Sequence, residues 1–212
     1  MLNIDNLKSM ISKKGGVAPL NRFNVIFRPP AQALLNINAE TIVASALSGT
    51  ANLKNLINDP RDISLLCESV TLPSREITTL DSMQGLQQNK FPYTFIDSDV
   101  SMTFMITNDY YIKLLFDAWQ KTVFDVEKYQ AGYKNDYAVD IVIQHLNQKN
   151  IPIYGVKLEK AFPISISGLE LSNDAAGYAK LTVSFAYDKF KPEGPVSSTA
   201  SAIREAIPSS FI

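Results

Sequence analysis

Apolar and polar residues alternate through the middle of the chain. Val100, Met102, Phe104 and Ile106 are apolar, with Ser101, Thr103 and Thr107 between or beyond them. Period two marks a strand with one buried face, predicted here over 99–107. Asn108 and Asp109 follow, both suited to accept bonds from the free N–H groups at a helix start. The period then becomes helical. Tyr111, Leu114, Leu115, Ala118, Trp119 and Thr122 recur at three- and four-residue spacing, while Lys113, Asp117 and Gln120 fall off that stripe. The spacing predicts one amphipathic helix over 109–124, packed on a sheet through Tyr111, Leu115 and Trp119.

The rest of the chain supplies strands. The first spans 22–28 and ends at Pro29-Pro30. The second spans 63–72, is nearly apolar on both faces in its first half, and stops at Pro73. A fourth runs over 139–147 and turns at 147–150. A fifth, 152–162, places Tyr154, Val156, Leu158 and Phe162 on one face and ends at Pro163. A sixth, 178–190, turns Leu181, Val183, Phe185 and Tyr187 inward and Lys180, Thr182 and Ser184 outward, after a turn at 173–177. The polar stretch 74–96, with Gly85 at its turn, reads as a long protruding hairpin, and 129–137 as a Tyr-rich connection. The expected fold is mainly β: an antiparallel sandwich or partial barrel with one flanking helix.

Three segments stand apart. Residues 2–13 form a short amphipathic helix closed by Gly15-Gly16, marginal in water alone. Residues 31–58 have few charges and a weak helical pattern, and read as an insertion of one or two short helices outside the sheet. Beyond Lys191 the Pro-, Ser- and Gly-rich composition reads as a linker, with one short helix over 200–207. The organisation is an N-terminal extension (1–19), a β domain (20–190) and a flexible C-terminal extension (191–212).

Composition narrows the functional classes. With 212 residues, 46% of them hydrophobic, the chain builds a sizeable core. Twenty Lys and Arg stand against 21 Asp and Glu, so there is no basic surplus for gripping nucleic acid. One cysteine precludes an intrachain disulfide. No run reaches the about 18 apolar residues of a membrane span, and the N-terminus does not read as a signal peptide.

No catalytic constellation emerges, and neither a metal nor a cofactor is expected. The single histidine, His145, lies on a strand and reads as structural. Cys67 sits among Leu65, Leu66 and Val70, where a buried inert thiol is expected. One Cys and one His do not make a zinc site. Asp97 and Asp99 suit a turn before they suit calcium. A β-sandwich enzyme or carbohydrate-binding module would need exposed aromatics on a concave face, and the aromatics here fall mostly on inner strand faces or the helix. What remains is a surface for self-association: hydroxyl- and amide-rich strand faces, a projecting hairpin and open β edges.

Four segments, PRDISLLCESVTLPSREI (60–77), NDYYIKLLFDAWQ (108–120), KLEKAFPISISGLEL (157–171) and KLTVSFAYDKF (180–190), resemble in order and spacing the tail-tube proteins of contractile-tailed bacteriophages. The resemblance spans about residues 20–190. That family shares its fold with the tube protein of type VI secretion systems.

The resemblance implies hexameric rings whose sheets join into a continuous inner β-barrel. It implies that rings stack into a tube inside a contractile sheath, and that viral DNA passes through the lumen without specific binding. Expected partners are further copies of the chain, the sheath protein, the baseplate tube-initiator and the tail terminator; the expected location is the virion tail, assembled in the host cytoplasm. The hairpin is expected to reach the adjacent ring through Arg75, Asp81, Gln84, Gln87 and Lys90. Gln144, Thr182 and Ser184 are candidates for the lumen wall. The insertion and both extensions depart from the compact family pattern and leave a second role open, a tube-initiating baseplate protein forming a single ring.

Overall fold

The computed structural model describes residues 3–34, 60–84, 87–169, 171 and 177–206. The elements are α1 (Ile4–Lys13), β1 (Phe23–Phe27), α2 (Pro60–Leu65), β2 (Cys67–Val70), β3 (Arg75–Gln84), β4 (Gln87–Asp97) and β5 (Val100–Met105). They continue as α3 (Tyr111–Val123), β6 (Phe124–Asp125), β7 (Gln130–Ala131), α4 (Lys134–Tyr137), β8 (Val139–Leu146), β9 (Pro152–Ile166), β10 (Lys180–Ala186), β11 (Lys189–Glu193) and α5 (Pro195–Ala206).

One antiparallel seven-stranded sheet folds over on itself, in the order β1-β8-β9-β10-β5-β2, with β11 also paired to β9. β9 belongs to both layers. Its first part pairs with β8 and β11, and its last part with β10. The strand changes layer near Lys160, whose φ of 53° is left-handed and whose N–H donates to Asp140 Oδ1 at 3.0 Å. Such corners, where a strand switches sheets at an irregularity, let two layers close on one core.

Period-two side chains fill the space between the layers. Val25, Phe27, Ile141, Ile143, Val156 and Leu158 come from one layer, and Val100, Met102, Phe104, Leu181, Val183 and Phe185 from the other. Ile112, Leu115, Phe116 and Trp119 of α3 are fully buried in the same core. Phe116 stacks on Trp119, and both meet Phe185 edge-on.

Six local expectations are revised. The run Ile63–Leu66 is not the start of a strand: Pro60–Leu65 is a helical turn, and β2 begins at Cys67. An apolar run this short suits either state, and Pro60 favours the first turn of a helix. Helix α3 starts at Tyr111 after the left-handed Tyr110, while Asp109 Oδ1 accepts the Tyr111 N–H at 3.3 Å. Its buried face is turned by one residue, so Leu114 is exposed and Phe116 buried.

Pro163 does not end β9. It lies opposite Phe185, where the β9–β10 register shifts, and its missing N–H falls at that irregularity. The sixth strand is broken at Tyr187 and Asp188 into β10 and β11. The expected linker after Lys191 is instead the end of β11 and the helix α5, which opens on Pro195, a residue pre-set for a first helical turn. Of the expected insertion, residues 31–34 are helical; the remainder, 35–58, lies outside the described residues, as does nearly all of the turn at 173–177.

Candidate assembly surface

β2 and β5 form an antiparallel pair at the edge of the sheet. Their ladder continues past the strand ends, with Thr71 N–H bonding to the Ser101 carbonyl and Ser101 N–H to Thr71 Oγ1, both at 2.9 Å. Pro73 offers no donor, and beyond it the two segments resume pairing as β3 and β4, which among the described residues pair only with each other. The hairpin is therefore the outward continuation of an edge ribbon. Ten paired positions from Arg75↔Asp97 to Gln84↔Gln87 extend it by about 30 Å at strand rise.

Every described side chain from Glu76 to Ile96 is exposed except Ser82 and Asn89, which are half-buried. Many of the exposed ones are large and apolar. Ile77, Leu80, Met83, Phe91, Tyr93, Phe95 and Ile96 all project into solvent, Met83 at 79% and Tyr93 at 77%. They lie on both faces. The Ile77↔Phe95 pair is on one, and Ile96 and the Leu80↔Phe91 pair are on the other. A register shift after Thr78, opposite Tyr93, keeps apolar residues on both sides. A solvated ribbon of a soluble protein alternates polar and apolar faces; a ribbon apolar on both faces suits burial from both sides.

Among the expected contact residues, Asp81 and Lys90 are exposed and stand directly opposite each other. Gln84 and Gln87 pair at the end of the ladder. Arg75 is engaged within its own chain. Its guanidinium holds Asp97 through Nε–Oδ1 at 2.7 Å and Nη2–Oδ2 at 2.8 Å. The Arg75 guanidinium and Asp97 carboxylate shift each other in the expected directions, Asp97 down and Arg75 up.

The two sheet layers differ on their outer faces. The β1-β8-β9 layer is covered by α5. Gly155 admits this helix, since a Cβ there would lie 2.4 Å from Ser198 Cβ. Ser198 is fully buried, and its carbonyl accepts Gln144 Nε2 at 2.8 Å. Gln144, expected on a lumen wall, is 4% exposed beneath α5 in the single chain.

Among the described residues, the β2-β5-β10 layer carries no helix on its small hydroxyl face. Ser101 lies opposite Ser184, and Thr103 opposite Thr182, whose hydroxyls are 3.2 Å apart. At its margin Lys180 Nζ bonds Glu68 Oε1 at 2.6 Å, and Tyr178 Oη donates to the same oxygen at 3.1 Å.

The residues weighed for chemistry have structural partners. His145 Nε2 donates to the Pro19 carbonyl oxygen at 2.8 Å, tying down the segment before β1. Cys67 is buried, and burial pushes its thiol up to about 12. Tyr111 packs against the core beside Leu115 and Trp119. Among the described residues, no three His, Cys, Asp or Glu side chains gather as a metal site, and no helix is long and apolar enough to cross a membrane.

The family model for phage tail tube protein matches residues 18–193, from before β1 to the end of β11. The chain belongs to the phage tail tube protein family. Solved structures agree on the fold of this tail tube chain. A chain of the anti-feeding prophage baseplate, from a 6-fold symmetrised cryo-EM structure, is similar at 15% identity with a TM-score of 0.57, covering 84% of this chain and 97% of that one. A chain of the extended sheath-tube complex of the PVC extracellular contractile injection system is similar at 14% identity and a TM-score of 0.55, covering 88% and 97%. An Hcp crystal structure matches more loosely, at 14% identity and a TM-score of 0.39 over 62% and 72%. No curated protein sequence matches the chain.

The hairpin was legible in the sequence as a polar protrusion with a turn. Its two-faced apolar character is carried by Ile77, Leu80, Phe91, Phe95 and Ile96, which are scattered among polar residues. The signal was a strand stretch without clean alternation and without a core large enough to bury it.

Proposed function

We propose that this chain is the repeating subunit of a phage tail tube: six copies close into a ring, and rings stack within a contractile sheath to conduct viral DNA. The observation that carries the reading is the β3–β4 hairpin, which exposes large apolar side chains on both faces in the single chain. Burying such a ribbon requires other subunits. Among the described residues nothing pairs with the outer edges of β1 and β2, and their main-chain groups suit pairing between neighbours, which would join the six sheets into one inner barrel.

In this arrangement the lumen wall is the hydroxyl face, with Thr182 and Ser184 beside Ser101 and Thr103. A DNA conduit works best when its wall does not grip phosphate, because each Lys or Arg–phosphate contact adds affinity. Small hydroxyls, and a Lys180 already neutralised by Glu68, suit that task. Asp81, Gln84, Gln87 and Lys90 meet the adjacent ring. The sheath, a tube-initiator and a terminator are the expected virion partners, with assembly in the host cytoplasm.

The likeness to a chain from a baseplate structure favours one second reading, a tube-initiating protein forming a single ring. Electron microscopy of the purified chain tests both. Stacked rings with a central pore are expected, and a strictly monomeric species at high concentration overturns the tube reading. Copy number per virion separates the two: many rings for a tube subunit, one for an initiator.

A further inference from the structure

The hairpin leaves the body at a bend. Residues 71–74 and 98–99 connect β2 to β3 and β4 to β5, and across the bend Ser98 N–H bonds to the Ser74 carbonyl at 3.0 Å. Two short connections alone would leave a lever of about 30 Å free to swing, and docking a swinging lever costs conformational entropy.

Two contacts tie the bend to the body. Tyr187 Oη, from the break between β10 and β11, donates to the Ser98 carbonyl at 2.7 Å. The Arg75 guanidinium lies over two rings, 4.6 Å from the centroid of Phe95 on the hairpin and 4.5 Å from that of Phe190 on β11. Phe190 packs against the core and meets Tyr187 edge-on. One planar cation thus meets a ring of the hairpin and a ring of the body, while it holds Asp97 in a two-point bond. The fork-shaped donor edge and the flat faces are properties of arginine that lysine lacks.

We propose that Arg75 is a positioning residue that fixes the angle at which the hairpin projects, by bridging Phe95 and Asp97 of the hairpin to Phe190 of the body. Its consequence for assembly rests on the tube reading above: a hairpin held at one angle meets the next ring without a search.

The test measures the angle first and assembly second. Spin labels at Gln88→Cys on the hairpin and Gln148→Cys on the body, in full-length chain diluted with unlabelled chain, report their separation by pulsed electron resonance. The buried Cys67 stays unlabelled. The parent gives one narrow distance distribution. Arg75→Ala broadens it at least twofold in a subunit that stays folded, Phe190→Leu acts in the same direction, and Arg75→Lys, which keeps the charge, also broadens it. A parent-width distribution in Arg75→Ala overturns the proposal. Should Arg75→Ala fail to fold, Arg75→Lys carries the decision, and parent width there is equally fatal.

In the assembly arm, Arg75→Ala raises the concentration at which tubes form at least tenfold. A broadened variant that assembles like the parent overturns the link to assembly. A parent that forms neither rings nor tubes overturns the tube reading and leaves the distance result on Arg75 standing.

Discussion

The indole Nε1 of Trp119 donates to the carbonyl oxygen of Tyr137 at 2.7 Å. This bond joins the main helix to the short helix α4, and it gives a fully buried indole its polar partner. The same ring packs against Phe27, Phe116 and Phe185, so one side chain links β1, α3, α4 and β10. Trp119→Ala should cost about 3–5 kcal/mol, read by urea denaturation. Trp119→Phe should cost less but more than zero, since it keeps most of the packing and strands the Tyr137 carbonyl. An alanine variant that unfolds with the parent would show that the helix is not docked as described.

Gly155→Ala places a methyl 2.4 Å from Ser198 Cβ. Either α5 shifts or β9 does. A loss of about 1–3 kcal/mol is expected, typical of overpacking, with faster proteolysis confined to 195–206. Equal proteolysis of both proteins would mean that α5 does not rest on Gly155.

Removing residues 80–90 should leave the subunit folded, because β3 and β4 pair only with one another. The shortened chain should keep the parent Tm within a few degrees and fail to stack, as seen by electron microscopy. Normal tubes from this variant would remove the hairpin from assembly.

Acid should weaken two ion pairs together. Arg75 lowers the Asp97 carboxyl, and Lys180 lowers that of Glu68. In acid the unfolded chain therefore binds more protons at these sites than the folded one, so stability rises with pH there. Both contributions are complete above the ordinary carboxylate range and disappear as pH falls through the lowered values. The acid branch of a Tm–pH curve should be shallower in the Asp97→Asn, Glu68→Gln double variant. An unchanged slope would refute the coupling.

Cys67 titrates in the opposite sense. Burial raises its thiol to about 12, above the about 8.5 of a free thiol. The folded state keeps the proton, so this contribution is full below the unfolded value and is lost as pH rises toward the folded one. At pH 8 a maleimide should label the chain in urea and leave the native chain unlabelled; rapid native labelling would place Cys67 at the surface.

Much of this fold was legible because burial imposes periodicity. β5 and β10 alternate cleanly, since each has one face in the core and the other bearing Ser101, Thr103, Thr182 and Ser184. Helix α3 was placed within two residues, but its phase was off by one. The sets Leu114-Ala118 and Ile112-Phe116 both satisfy helical spacing, and the opening between the sheet layers decides between them.

Local signals failed where tertiary packing overrode them. Pro195 and its serines read as a linker, yet Ser198 is the residue that α5 buries against Gly155. Strand alternation puts Gln144 on an outer face, and nothing in it signals the helix that covers that face in the single chain. The assembly site was half visible: the sequence marked a protrusion, while its apolar residues on both faces gain meaning only once the ribbon is seen to leave the core.

That ribbon also governs how the protein behaves before it has neighbours. A freshly made chain carries an adhesive blade that water does not tolerate well, so its lifetime as a solitary molecule depends on how soon siblings arrive. Slow, dilute expression should yield clear solutions, and concentrating an idle stock should turn it cloudy unless ordered growth outpaces random sticking.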